Sequence, residues 1–399
     1  MVVGAGVVGI ATAWALARRG CRVTIIDQRN GPGEGTSFAN GAQLSYAYSD
    51  ALANPGLLKR MPGLLVGADP AFRLKLAVGP GEVSWLLRFL RQCTSSAFER
   101  NTLSGLVLGL ESRAALHDLL ARHPLEFAHV VAGKLHIHDD PSSFAAARTL
   151  AAIKNAHGAG QRVLAPAEAA AVEPAIASRA SAMAGAIHSP QDEVGNPHLF
   201  CTALTNVLVR DYDAEPWFGV TAVGVSPHGN EARLDLGGGK QVAADHIVFC
   251  TGTVPGFVPG GLASRVLRMK GYSFTAPPGA AAPRVSITDV SRKIVFCRLG
   301  DSIRVAGLAR LGDNDPAVDP RAVAGLVDAA RAALPEAAVF RAAGVFWAGH
   351  RPMTVDSLPI IRRVAPGISV NLGHGMLGWT YAMGSAERAA AMIDDVAFA

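Results

Sequence analysis

The sequence has few of the residues that build disulfide frameworks, metal centres or nucleic-acid interfaces. Its five cysteines are far apart and form no Cys-x-x-Cys pair, and its twelve histidines show no paired ligand spacing. Structural disulfides and a metal site are therefore not expected, and a reducing cytoplasm fits this composition. Lysines and arginines never occur more than two in a row, so nucleic-acid binding is not expected either.

Length and composition indicate a large folded protein. The 399 residues exceed one ordinary domain and predict two lobes. Half of the residues are hydrophobic and 17% are charged, and no long polar tract indicates disorder. Thirty-seven lysines and arginines against 32 aspartates and glutamates leave a small positive charge. Such a charge favours carboxylate substrates or anionic lipid surfaces.

The N-terminal residues carry a dinucleotide-binding motif. Gly4 permits a tight turn between strand and helix, Gly6 lets the backbone approach a pyrophosphate, and Gly9 lets the helix pack close to the strand. Asp27 ends the next strand, where a carboxylate accepts hydrogen bonds from ribose hydroxyls. Residues 1–17 contain no charge, but they lack a basic leading segment and are short for a membrane span. We therefore interpret them as a buried strand and helix rather than a targeting segment.

Patterns typical of nucleotide binding recur in three separated parts of the chain, with strand-rich segments between them. The sequence predicts an α+β fold, in which an α/β, Rossmann-like dinucleotide-binding domain is built from discontinuous segments. A substrate domain with an antiparallel sheet is inserted into it. The predicted boundaries are 1–50, 145–255 and 345–399 for the first domain, and 51–144 and 256–344 for the second.

Four further segments combine glycine with polar or aromatic residues in recognisable strings. They are Thr-Ser-Phe-Ala-Asn-Gly at 36–41, Lys-Gly-Tyr-Ser at 270–273, Gly-His-Arg-Pro-Met-Thr-Val-Asp at 349–356, and Gly-His-Gly-Met-Leu-Gly-Trp-Thr at 373–380. With the glycine motif, they resemble the FAD-dependent D-amino-acid dehydrogenase small-subunit family, within the D-amino-acid oxidase superfamily. The resemblance spans nearly the whole chain. It departs from the family pattern at Val355, where proline is usual, and at Gln28, where arginine is common.

The resemblance implies FAD as the cofactor. The binding is expected to be non-covalent, because the cysteine of the covalently linked members is absent near Arg351. Backbone N–H groups after residue 373 are expected to approach the isoalloxazine edge, where they can stabilise negative charge. The implied FAD contacts are Gly4, Gly6, Val7, Val8, Gly9, Asp27, Gln28, Thr36, Ser37, Asn40, Gly41, Ala42, Gln43, Leu44, Val220, Thr251, Gly252, Gly375, Met376, Leu377, Gly378 and Thr380.

The resemblance also implies a reaction, the oxidative deamination of D-amino acids to 2-oxo acids and ammonia. Hydride moves from Cα to flavin N5, and electrons pass on to a quinone or another respiratory carrier. Arg351 is expected to hold the substrate carboxylate, because a guanidinium donates two parallel N–H bonds to it. Tyr272 is expected to close over that carboxylate, and His374 to face the flavin. Tyr46 and Tyr48 are further candidates for the pocket wall.

Several alternatives stay open at this point. The substrate can be a cyclic imino acid such as D-hydroxyproline, or the enzyme can be an oxygen-using oxidase of glycine, sarcosine or D-amino acids. A subunit that holds FAD only structurally is disfavoured by the presence of Arg351 and Tyr272. A nicotinamide dehydrogenase is disfavoured because nucleotide-binding patterns recur late in the chain.

Residues 55–90 interleave lysine and arginine with large apolar side chains. This pattern predicts an amphipathic helix packed on the protein, or alternatively a peripheral contact with the inner face of the cytoplasmic membrane. The resemblance also leaves open a small partner subunit.

Overall fold

The computed structural model describes residues 1–58, 63, 71–75, 79–229 and 231–397, the last four by their backbone alone. It begins with the strand–helix–strand unit that the glycine motif predicts: β1 (Val2–Val3), α1 (Val7–Ala17) and β2 (Thr24–Asp27). Helix α1 is almost entirely buried. A Cβ atom at Gly9 would overlap the carbonyl oxygen of Gly4, so only glycine lets α1 lie this close to the turn.

Six strands of the described chain form a mainly parallel sheet in the order β19–β20–β13–β1–β2–β9. Besides β1 and β2 it contains β9 (Glu215–Phe218), β13 (Ile247–Phe249), β19 (Ile360–Ala365) and β20 (Ile368–Leu372). Strand β1 pairs in parallel with β2 on one side and with β13 on the other. The strand order therefore reverses at β1, and ligands of such sheets bind beyond the carboxyl ends of the strands at that point. The predicted Rossmann-like unit of discontinuous segments is confirmed.

Helices cover one face of this sheet and a smaller sheet covers the other. The helices are α1, α3 (Ser95–Arg122), α6 (Pro197–Tyr212) and α8 (Gly378–Ala397). They enclose an apolar core in which Trp14, Phe200 and Trp379 are buried. The smaller sheet consists of β10 (Ala222–His228), β11 (Glu231–Leu236) and β12 (Gln241–Ala244). Burial on both faces explains why the central strands β1 and β13 contain only apolar residues.

A second, largely antiparallel sheet contains nine strands of the described chain. Eight follow the order β18–β14–β17–β16–β15–β5–β7–β6, and β4 pairs with β17 beside this path. The strands are β4 (Phe72–Leu74), β5 (Lys134–His138), β6 (Arg162–Leu164), β7 (Gly185–Ser189), β14 (Leu267–Ala276), β15 (Ser286–Asp289), β16 (Ile294–Leu299), β17 (Ser302–Leu311) and β18 (Gly344–Met353). Helix α7 (Pro320–Ala333) packs on one face, where Leu326 joins the same buried cluster as Phe274.

The large sheet contains strands that the predicted boundaries assign to the dinucleotide-binding domain. Strands β6 and β7 fall in the range 145–255, and β18 begins within one residue of 345, yet all three pair within the nine-stranded sheet. The reason is that strand pairing is a long-range property, whereas the sequence pattern of a strand does not reveal its neighbours. The division of the chain into two domains stays a prediction.

The remaining elements surround these sheets. They are α2 (Pro80–Gln92), α4 (Pro141–Asn155), α5 (Pro166–Val172) and the short pair β3 (Gln43–Leu44) and β8 (Glu193–Val194).

The amphipathic segment 55–90 is described in part. Trp85 and Phe89 of α2 are buried, and the Trp85 indole nitrogen donates a hydrogen bond to the Met353 carbonyl, 3.1 Å away. This part of the segment packs on the protein, whereas residues 59–62, 64–70 and 76–78 lie outside the described residues. None of the helices in the described ranges is both long and apolar enough to cross a membrane.

Candidate active site

A cavity of about 1140 Å³ lies at the carboxyl end of β1 and β2 and extends along the large sheet. Gly4 and Asp27 line one end, Gly252 and Gly378 lie along it, and Arg351 is part of its wall on the large sheet. Pockets for a single small molecule usually measure about 300–1,000 Å³. The cavity therefore has room for a dinucleotide together with a smaller ligand.

The nucleotide end of the cavity is built from backbone and one carboxylate. A Cβ atom at Gly4 would lie 2.6 Å from the Cys250 carbonyl oxygen, and Gly4 has a φ of +108°, so the turn requires glycine. Helix α1 begins after Gly6, which has no side chain to cap it, and the Val7 N–H donates to the Ser37 hydroxyl at 3.1 Å. The following N–H groups and the positive end of the helix dipole face the cavity where a phosphate can bind. The Asp27 carboxylate accepts the Ala5 N–H at 2.7 Å and is thereby fixed at the cavity wall.

The loop after β2 crosses one face of the large sheet, strand by strand. Four side chain–loop pairs mark its course from β14 to β5: Ser273 with Ala39, Arg304 with Asn40, Ser286 with Gln43, and Lys134 with Ser45. Two polar side chains of the loop form hydrogen bonds with the protein backbone. Thr36 Oγ1 donates to the His350 carbonyl of β18 at 2.9 Å, and Asn40 Oδ1 accepts the Ala42 N–H at 2.8 Å. The loop is held by its side chains and offers mainly its backbone to a ligand.

The structure gathers most of the predicted FAD contacts on this one cavity. All but three of the 22 line it, from Gly4 to Gly378. The exceptions have other surroundings. Gly9 lies under the first turn, Leu44 is buried among the helices, and Thr380 Oγ1 accepts the Ser45 N–H at 2.9 Å. These three residues do not line the cavity, but they support the elements that do.

Arg351 is a half-buried cation without an acidic partner in the described chain. It extends from β18 over Gly271 of the neighbouring strand β14, and its Nη1 donates to the Leu308 carbonyl at 3.1 Å. Within the described part of the chain it forms no ion pair with a carboxylate. Desolvation lowers the pKa of Arg351 to about 10, so the guanidinium keeps its charge at neutral pH. A guanidinium on a cavity wall whose charge is not compensated by a neighbouring carboxylate favours an anionic ligand.

Tyr272 and Arg351 lie on opposite faces of the large sheet. Successive residues of a strand point to opposite faces, so the side chain of Tyr272 lies on the other face of β14 from the one that Arg351 covers at Gly271. Its ring is buried in the cluster formed with helix α7, and its hydroxyl accepts a hydrogen bond from Arg310 at 3.1 Å. Tyr272 also borders the cavity, and its hydroxyl keeps a proton to donate, so its contact with the substrate carboxylate stays a prediction.

His374 is buried and lines the cavity. Its Nε2 and the Ser385 hydroxyl of α8 are 2.8 Å apart. Burial lowers the pKa of His374 to about 3, so the imidazole is neutral at physiological pH. The side chain helps to hold the turn before α8, and its contact with the flavin stays a prediction.

Some residues of the wall were not predicted. Trp347 lies four positions before Arg351 on β18, and the alternation of a strand places both on one face. The motif begins at Gly349 and so leaves Trp347 out, but the even spacing between Trp347 and Arg351 could have revealed it. Lys134 and Met269 also line the cavity, and no local sequence pattern marks either.

The reversal of strand order at β1, the glycine turn and the cavity define a dinucleotide-binding protein. A family model described as FAD dependent oxidoreductase matches residues 1–392, and the chain belongs to this family. The resemblance found in the sequence is thus confirmed. FAD is the cofactor of the family, and the residues present fit it. Helix α1 starts at the cavity after Gly6, the turn at Gly4 leaves no room for a Cβ atom, and the Ala5 N–H holds the Asp27 carboxylate in place.

Curated relatives and solved structures agree with this assignment. The chain is 39% identical to a protein named D-amino acid dehydrogenase 2 from Ralstonia nicotianae, over 98% of this chain and 95% of the relative. It is 38% identical to a protein of the same name from Pseudomonas aeruginosa, over 98% and 94%. In fold it is similar to L-proline dehydrogenase from P. horikoshii, with a TM-score of 0.74, 17% identity and coverage of 99% and 92%. It is also similar to glycine oxidase from Geobacillus kaustophilus, with a TM-score of 0.72, 19% identity and coverage of 99% and 93%.

Replacing Gly9 by alanine tests the cofactor cradle. We expect Gly9→Ala to lose most of its bound FAD, because the added methyl group overlaps the Gly4 carbonyl and forces α1 away from the turn. The measurement is the ratio of flavin to protein absorbance after purification. Gly325→Ala on α7 is the matched control, since nothing lies within 4 Å of its Cβ position. It should keep its FAD and gain about 0.5–1 kcal/mol of stability. Normal FAD content in Gly9→Ala would contradict this account.

Proposed function

We propose that the protein is a dehydrogenase that oxidatively deaminates D-amino acids with bound FAD and passes the electrons to a carrier other than oxygen. The observation that carries the proposal is Arg351, a half-buried cation on the wall of the FAD cavity without a carboxylate partner in the described chain. An α-carboxylate supplies the missing negative charge and accepts two N–H bonds from one guanidinium.

The residues around Arg351 position the substrate. The guanidinium lies against Gly271 and is held by the Leu308 carbonyl, so the carboxylate has a fixed direction of approach. Met269, Leu308 and Trp347 line the cavity nearby and present apolar surface to a side chain. Fixing the reacting groups in this way supplies up to about 7–11 kcal/mol of the barrier reduction. FAD, when bound, accepts the hydride from Cα, and water then converts the imino acid to a 2-oxo acid and ammonia.

The choice of D-amino acids and of a dehydrogenase draws on the relatives. The curated proteins that match at 39% and 38% identity over nearly the full length carry the name D-amino acid dehydrogenase. The acceptor that we propose is a quinone or another respiratory carrier. Such an acceptor is compatible with peripheral contact at a membrane, because electrons have to leave the protein.

Anaerobic reduction of the bound flavin tests the proposal. The holoprotein is mixed with D- and L-amino acids, glycine, sarcosine and D-hydroxyproline, and flavin absorbance is followed by stopped flow. We expect bleaching by D-amino acids and formation of the matching 2-oxo acid and ammonia. In air, hydrogen peroxide release should be slow relative to turnover with an artificial quinone. Bleaching by L-amino acids or sarcosine alone would overturn the stereochemical assignment, and rapid peroxide release would identify an oxidase.

A further inference from the structure

Lys134 is a second cation on the cavity wall, and it is more deeply buried than Arg351. It begins strand β5, is 3% exposed and lines the same cavity as the predicted FAD contacts. Its Nζ donates to the Ser45 hydroxyl at 2.7 Å and lies 4.8 Å above the ring of Tyr48. In the described ranges of the chain, no carboxylate lies within ion-pairing distance of it.

The acidic groups near Lys134 are engaged elsewhere. The Asp50 carboxylate pairs with Lys154 at 2.7 Å, and Asp192 accepts the Ala47 N–H at 3.1 Å. Burial raises the pKa of Asp192 to about 6, which weakens its hold on a negative charge. Burial lowers the pKa of Lys134 to about 8, so the ammonium group is still largely protonated at neutral pH. The wall therefore presents a positive charge that the protein only partly compensates.

Ser45 connects Lys134 to the N-terminal, positive end of helix α8. The Ser45 hydroxyl accepts from Lys134, while the Ser45 backbone N–H donates to Thr380 Oγ1 in the first turn of α8. Gly378, the first residue of α8, lines the cavity with Lys134 and Ser45. The helix dipole and the ammonium group therefore act together on negative charge in this part of the cavity.

The anion that Lys134 serves differs from the one that Arg351 serves. Strands β5 and β18 are five steps apart in the sheet. At about 4.8 Å for each step, their backbones are roughly 24 Å apart across the sheet. A small amino acid whose carboxylate lies on Arg351 does not span that distance. The FAD diphosphate belongs at the start of α1 near Gly6, which is a separate anion site.

We propose that Lys134 stabilises the negative charge of the reduced isoalloxazine ring and thereby raises the midpoint potential of the bound FAD. A hydride brings two electrons and one proton to the ring. Without a second proton, the reduced ring carries one more negative charge than the oxidised ring. Lys134 keeps its own proton and acts by charge alone, favouring the reduced over the oxidised cofactor. This role rests on FAD binding and does not depend on which amine is the substrate.

The test is the midpoint potential of holoprotein Lys134→Met, measured by equilibrium with a reference dye during chemical reduction. We expect the reduction equilibrium to shift at least tenfold toward oxidised FAD, which for a two-electron couple is about 30 mV. Lys134→Arg should stay close to the parent because it keeps the charge. Asp192→Asn should shift the potential the other way, because it removes a negative charge near Lys134. Lys240→Met removes an exposed charge elsewhere and is the control.

Two outcomes would overturn the proposal. An unchanged potential in Lys134→Met with full FAD content would mean that the side chain only supports Ser45. Loss of FAD with an unchanged potential in the remaining holoprotein would mean that Lys134 serves the diphosphate instead. If the methionine variant does not fold, Lys134→Gln and Asp192→Asn answer the same question, since their predicted shifts have opposite sign. Failure of the D-amino-acid assignment would leave the measured potentials unaffected, because the reductant is chemical.

Discussion

Arg351→Met should lower kcat/KM for a D-amino acid by roughly 30- to 5,000-fold while leaving FAD bound. The range corresponds to about 2–5 kcal/mol, the usual effect of removing one partner of a buried charge pair. The residue lines the cavity beside the expected Cα but makes no bond to the predicted nucleotide contacts in the described chain. Anaerobic stopped-flow reduction of the flavin gives the rate and the apparent substrate affinity separately.

A second measurement separates this role from a structural one. Removing a charge from a buried ion pair usually destabilises a protein, because it leaves the opposite charge unpaired. Arg351 has no such partner in the described ranges, so Arg351→Met should unfold at or above the temperature of the parent. Arg362→Met removes a guanidinium that donates to the Gly260 carbonyl at 3.3 Å and does not line the described cavity, so it should leave kcat/KM unchanged. A KM and kcat for Arg351→Met equal to those of the parent would refute the assignment.

Local patterns bring most of the predicted nucleotide contacts to one cavity, and their contact with FAD stays a prediction. Gly9 is constrained by the Gly4 carbonyl within the same turn, and the Asp27 carboxylate accepts the Ala5 N–H of that turn, so the spacing of the motif encodes this part of the geometry. Arg351 belongs to a motif and lies on the cavity wall, but its contacts with Gly271 and Leu308 come from other strands.

Other features depend on contacts between distant elements, which spacing does not encode. Tyr272 lies one residue after Gly271, and only the pairing of β14 with β18 shows that it faces helix α7 instead of Arg351. Lys134 pairs with Ser189 and Ser286, which lie 55 and 152 positions further along the chain. The predicted boundaries place β6 and β7 in the range 145–255 although both pair within the nine-stranded sheet, because a strand of three to five residues fits either sheet until its partner is known.

Gly271 leaves room for the guanidinium of Arg351 on the neighbouring strand. Gly271 of β14 lies directly opposite Gly349 of β18, and the guanidinium of Arg351 covers the first as the indole of Trp347 covers the second. A Cβ atom at Gly271 would overlap the guanidinium of Arg351. The glycine thus sets the height at which the guanidinium lies on the sheet, and Gly271 is a positioning residue for the carboxylate contact.

Gly271→Ala should therefore raise KM for a D-amino acid by about 10- to 100-fold, since a shift of about 1 Å in a positioning group has effects of this size. Binding of a non-reacting carboxylate, followed by the change in flavin absorbance, should weaken by a similar factor. Gly344→Ala on the adjacent strand is the matched control, because nothing lies within 4 Å of its Cβ position. Its KM and carboxylate affinity should match the parent. Should Gly271→Ala keep the parental carboxylate affinity, the guanidinium must tolerate displacement, and the fixed approach inferred for the substrate would be wrong.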